Sequence, residues 1–173
     1  MKTHISCPIL FAAVLMMGFG AQSAAAEGLM TTHRIPAALA AEAVTAAVAS
    51  CASQGFSASS AFLDANGVQQ AFVRGDGAGI HTVQMANDKA YTSVTFKTNT
   101  SVMIDAAKKG TNPPSPAVVN LPHLILAPGG VAIMGGADGK ELLGAISVSG
   151  VPNRQGDEVC AKAGLAKIAD RLK

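Results

Sequence analysis

The chain has 173 residues and a formal charge of +2, with one tyrosine and no tryptophan. That is the size of a single domain around one core. With no basic run and few aromatic rings for base stacking, it is a poor fit to nucleic-acid binding.

The first 26 residues read as a secretory signal peptide. Lys2 and His4 precede an apolar run from Ile9 to Phe19, and Ala24, Ala25 and Ala26 close it with small residues. A run of about 11 residues is too short for a membrane span, which needs roughly 20. Cleavage is expected near Ala26, leaving one exported domain, residues 27–173, in the periplasm or outside the cell. Cys51 and Cys160 remain after processing. In an oxidising compartment they are a candidate disulfide, with two buried thiols that never meet as the alternative.

Residues 36–52 read as a helix, with Pro36 in the first turn and Leu39, Ala43, Val44, Ala47, Val48 and Cys51 on one apolar stripe. The runs 58–63 and 68–73 flank "DANG", a hairpin signal in which Asn66 and Gly67 are expected at positive φ. Helical patterns follow at 80–96 and 101–108. The stretch "KKGTNPPSPAVVNLP" carries four prolines and reads as a long irregular connection. Short strands are expected at 124–127, 131–134 and 142–148, with "GADGK" turning between the last two. Asp157 is expected to cap a final helix reaching Leu172. The order predicts an α+β fold: an antiparallel sheet of about five strands flanked by helices.

"RGDGAG" at 74–79 joins the hairpin to a helix. It is not a dinucleotide fingerprint, because the third glycine position falls on Ile80. Its glycines permit a tight turn, and Asp76 is placed where a helix N-terminus favours negative charge. His81 and Met85 share a helix face and could hold a copper ion, though two ligands are few. His33 precedes the first helix, in an arm expected to be mobile. His123, between the proline-rich stretch and an expected strand, suits an axial ligand to a planar macrocycle or a purely structural place. No serine-histidine-aspartate order, HExxH motif or zinc-type cysteine spacing is present.

Several segments together resemble the GlcG/HbpS family of haem-binding, or haem-degrading, proteins, which includes the C-terminal domain of the PduO adenosyltransferases. They are Leu63–Gly67, "RGDGA" at Arg74–Ala78, "KAYT" at Lys89–Thr92, "APGG" at Ala127–Gly130, Leu143–Gly150 and Asp157–Gly164, in family order. "RGDGAG" is closest to the exported, haem-binding branch. The resemblance implies a symmetric homo-oligomer with a pocket wall built from the RGDGA turn, including Asp76 and Gly77. It implies a haem ligand around His123 and Leu124, and Arg74 or Lys89 could meet a propionate. The Glu-x-x-Glu iron motif of some exported members falls on Gln84 and Asn87, which puts carboxylate iron binding in doubt. The leading expectation is a protein that holds or senses haem. Two rivals are an enzyme or accessory that binds a small oxidised metabolite through Arg74, Asp76, His81 and Lys89, and a structural oligomer without ligand.

Overall fold

A computed structural model describes residues 31–111, 115, 120–152 and 156–172, so the expected signal peptide lies outside the described residues. Helix α1, Ala37–Ser53, starts where Pro36 supplies its carbonyl to the amides of Leu39 and Ala40. Its small buried stripe of Ala40, Ala43, Val44, Ala47 and Cys51 then lies against the sheet and the last helix.

Strands β1 (Ser59–Asp64) and β2 (Gln69–Arg74) form the expected hairpin, with a different turn. Only Gly67 has positive φ, at +78°; Asn66 does not. The Gly67 amide donates to the Asp64 carbonyl, while the Asp64 carboxylate accepts from the amides of Asn66 and Val68. That is a three-residue loop closed by a left-handed glycine, and the register slips between Phe62 and Leu63 to absorb it. Helices α2 (His81–Phe96) and α3 (Thr100–Lys109) follow.

Strands β3 (Gly130–Gly135) and β4 (Glu141–Ser149) complete a four-stranded antiparallel sheet in the order β2-β1-β4-β3. The expected strand at 124–127 does not form. Its Ile125 amide donates to the Thr92 hydroxyl of α2 at 2.9 Å instead of to a neighbouring strand. The outer side of β3 is occupied by α3's leading residues: Asn99 Oδ1 accepts from the Ala132 amide and Thr100 Oγ1 from the Gly130 amide. A fifth strand has no ladder to join there.

Helix α4, Gly156–Ala166, ends earlier than expected. Ile168 leaves helical φ at −115° and is fully buried, and a 3-10 turn, Ala169–Arg171, follows. Asp157 lies within the first turn of α4 and points inward, so it does not cap it from outside. Helices α1 and α4 cover one sheet face around Phe62, Ile146 and Val148. Helix α2 covers the other through Ala86, Ala90 and Val94, against Ala61, Leu63 and Ala145.

Cys51 and Cys160 form a disulfide between α1 and α4, with Cα atoms 5.5 Å apart. That separation is within the span a disulfide bridges. The two helices pack so closely that a Cβ on Gly164 would overlap the Ala43 carbonyl oxygen and stand 2.8 Å from the Ala47 Cβ. Ahead of α1, His33 is pinned and not loose. Its amide and Nδ1 both reach the Glu141 carboxylate, at 2.8 and 2.6 Å. Those bonds, the backbone one first, hold the Glu141 carboxyl below its ordinary pKa. Among the described residues no helix is long and apolar enough to cross a membrane.

Candidate functional site

The RGDGA turn is fastened by its own arginine. Arg74 Nε donates to the Ala78 carbonyl at 2.9 Å, and Nη2 donates to the same oxygen. Gly75 is held against β1, where a Cβ would meet the Ala58 oxygen at 2.7 Å, and Gly77 takes φ +75°. Ala78 is buried while Arg74, Asp76 and Gly77 are exposed. Among the described residues no hydrogen bond or ion pair links Asp76 to the start of α2. That start is set by Thr82, whose buried hydroxyl donates to the Gly79 carbonyl and meets the Ser59 hydroxyl at 2.8 Å. Thr82 and Ser59 carry no motif, and their pairing needs the strand-to-helix path to be known.

Lys89 belongs to the scaffold and is not available to a propionate. Its side chain is 2% exposed and its Nζ lies 2.7 Å from Asp157 Oδ2 and 3.2 Å from the Val148 carbonyl. The other Asp157 oxygen accepts from the Val151 amide. Glycines 129 and 130 clear the way. A Cβ on Gly129 would stand 2.8 Å from the Asp157 Cβ and 3.2 Å from Lys89 Nζ, and one on Gly130 would overlap the Lys89 backbone. The segments "KAYT", "APGG" and "DEVCAKAG" therefore describe one buried ion pair and the gap it passes through. An amine buried to this degree persists because it is paired and hydrogen-bonded. Of the four residues expected of a metabolite site, Lys89 is buried on Asp157 while Arg74, Asp76 and His81 are exposed.

His123 is placed differently. It lies on a loop across the outer face of α2, not at the start of a strand, in a left-handed conformation with φ +68°. Its Nδ1 is 3.0 Å from Asp88 Oδ1 and 3.3 Å from Gln84 Nε2, and Tyr91 meets the ring edge-on. The imidazole is 60% exposed, and among the described residues Nε2 has no partner. Leu124 beside it is half-buried. With Nδ1 held by a carboxylate, the Nε2 lone pair is directed outward, the orientation that second-shell acids impose on metal-ligating histidines.

His81 is exposed one helical turn before Gln84, its ring resting against Gly79. Among the described residues no three of His, Cys, Asp or Glu gather to hold an ion, so His81 is not part of such a set. At the Glu-x-x-Glu positions, Gln84 donates to Asp88 and Asn87 donates to Gln69, both at 2.6 Å. A glutamate at 84 would instead face Asp88 with like charge. Asp88 is the residue the sequence reading missed. Its only sequence signal was its place one turn after Gln84.

A family model described as haem degrading protein, HbpS-like, matches residues 35–166. The chain belongs to this HbpS-like family. A crystal structure of HbpS is 30% identical, with a TM-score of 0.70, over 80% of this chain and 92% of that one. A doubly substituted HbpS variant from Streptomyces reticuli is 24% identical at TM-score 0.71, covering 94% and 97% of the two chains. The complex of PduOC with haem is 23% identical at TM-score 0.69, covering 79% and 96%. The last two establish likeness of fold. A comparison with curated proteins returns no match. Within this HbpS-like fold the outer face of α2, and not the Lys89 pair, carries the uncommitted chemistry.

Proposed function

We propose that this HbpS-like protein is an exported, homo-oligomeric haem-binding protein that holds or senses haem, with His123 as the iron ligand. The observation that carries the reading is His123 itself: Nδ1 held by Asp88, Nε2 without a partner among the described residues, and the ring 60% exposed. Haem would supply an iron atom able to accept an axial nitrogen, and a flat apolar ring with two carboxylate tails. The donor set fits one axial bond. Asp88 holds the imidazole tautomer, Tyr91 supports the ring from its edge, and Leu124 offers apolar contact alongside. Arg74 spends two donors on Ala78 and keeps others that suit a propionate. The open setting of His123 in one protomer is the reason to expect a second copy to close over the ring. Export is supported by the Cys51–Cys160 bridge, which oxidising compartments preserve, and by the signal-like first 26 residues.

The test is a haemin titration of the purified protein beside His123→Ala and Asp88→Asn. Wild type is expected to give a saturable Soret band. His123→Ala should bind about tenfold more weakly or worse, with a displaced band, and Asp88→Asn should fall between. A wild type that never saturates rejects haem. A His123→Ala protein with the wild-type spectrum and affinity rejects this ligand.

A further inference from the structure

We propose that Thr92 is a positioning residue for His123: its buried hydroxyl fixes the turn that carries the imidazole, and so the direction of Nε2. This role rests on the haem reading for the ligand that Nε2 meets, and on the geometry around His123 for the rest.

His123 occupies a backbone conformation that its side chain disfavours. The Leu124 amide donates to the Leu121 carbonyl at 3.3 Å, closing a four-residue turn with Pro122 and His123 at its centre. His123, the second central residue, has φ +68°. Proline followed by positive φ is the pattern of a type II turn, whose second central residue is usually glycine or asparagine. A histidine stays left-handed there only when its surroundings hold it.

The groups that reach this turn from α2 differ in depth. Asp88 takes Nδ1 at 3.0 Å, but the imidazole is open to water, and a pair so exposed adds little. Tyr91 meets the ring only edge-on, with centroids 6.0 Å apart. Thr92 is buried, at 1% exposed. Its hydroxyl donates to the Asp88 carbonyl at 2.7 Å, which leaves the oxygen's lone pairs to the loop, and the Ile125 amide donates to them at 2.9 Å. Water does not replace a bond at that depth, so losing it strands a donor. Thr92 therefore supplies the restraint that the surface pair cannot.

Asp88 and Thr92 are one helical turn apart, about 6 Å at 1.5 Å per residue. The loop is pinned at both points: the His123 ring on Asp88, and the amide two residues later on Thr92. With the second pin removed, His123 relaxes to negative φ and its ring swings off Asp88. Nδ1 then loses the acceptor that keeps its proton, and Nε2 is no longer the bare nitrogen.

The experiment reads the His123 tautomer by imidazole nitrogen NMR of the isotope-labelled, haem-free protein, with His123→Ala to assign the signal. Haemin affinity is then measured on the same samples. Thr92→Val keeps the side-chain shape and deletes the hydroxyl, and Thr92→Ser restores the hydroxyl. Ile125→Pro removes the same bond from the loop side and leaves α2 untouched, so the test does not depend on Thr92→Val folding. Wild type and Thr92→Ser should show one tautomer, with the proton on Nδ1, while Thr92→Val and Ile125→Pro should show a mixture. Haemin affinity should fall about tenfold in the last two, the scale seen when a metal-ligating histidine loses its outer hydrogen-bond support. A single tautomer in Thr92→Val or Ile125→Pro, or a mixture in Thr92→Ser, would overturn the assignment. A tautomer that responds as expected in a protein that binds no haemin would reject the haem reading and leave Thr92 in its role.

Discussion

The two faces of the sheet are built from different material. Under α1 and α4 the core is continuous and apolar, centred on Phe62, Ile146 and Val148, and locked by a disulfide. Under α2 the apolar cluster is small, and much of the contact is polar. Ser147 donates to the Ala86 carbonyl, Ser59 meets Thr82, and Lys89 reaches Asp157. Apolar burial stabilises whatever the exact angle of approach. Hydrogen-bonded buried polar groups stabilise only in one arrangement, because each unsatisfied atom costs about 1–3 kcal/mol. The first face holds the fold together, and the second fixes where α2, and so His123, stands.

That contrast can be broken at three places. The largest effect is expected from the disulfide, whose cysteines are 109 residues apart in sequence. A loop of that length is worth about 4–5 kcal/mol in the chain-entropy account. Cys51→Ala/Cys160→Ala should lower the denaturant midpoint accordingly, and reductant should do the same to wild type. An unchanged midpoint would mean that α1 and α4 need no bridge.

Next comes the polar face. Lys89→Met strands the Asp157 carboxylate and should cost about 3–5 kcal/mol. The double variant Lys89→Met/Asp157→Asn should cost less than the sum of the two single changes, which a double-mutant cycle in urea measures. Simple additivity would show that the pair is not a unit.

The smallest effect is at the rim. Glu141 has its pKa lowered by His33, and Glu42 by its hydrogen bond from Arg171. A depressed carboxyl stabilises the folded state above its unfolded pKa, near 4.5, and that contribution is lost as pH falls through the lower folded value. Both carboxylates are near the surface, so the global effect is small. Protection of the amides at 33–35, measured against their intrinsic exchange at each pH, should fall below pH 4.5 in wild type and be low already at neutral pH in Glu141→Gln. Identical exchange in both proteins would remove the clamp from the account.

The secondary structure was legible where periodicity and turn chemistry agree. The stripe of α1 and the positions of the two hairpins follow from local pattern, whereas the form of the Asp64–Gly67 turn does not, because the Asp64 carboxylate takes the amides of Asn66 and Val68. The segment at 124–127 was misread because a short apolar run looks like a strand until the Ile125 amide is found on Thr92. Lys89 was misread for a related reason. A lysine in a helical pattern reads as surface, and only the cleared space at Gly129 and Gly130, far along the chain, allows it inside. His123 was legible as a chemical type, but its partner was not: Asp88 is 35 residues away, and the loop's path over α2 brings the two together.

The pairing of β1 with β4 places Phe62 opposite Ile146 at the centre of the sheet. Each hairpin can zip from its own turn, yet neither buries that seam alone. A chain halted before β4 would leave β1 with an open edge, ready to template the strand of another molecule. Folding of this domain is therefore committed late, when distant halves meet, and its passage through synthesis is when it is most exposed to self-association.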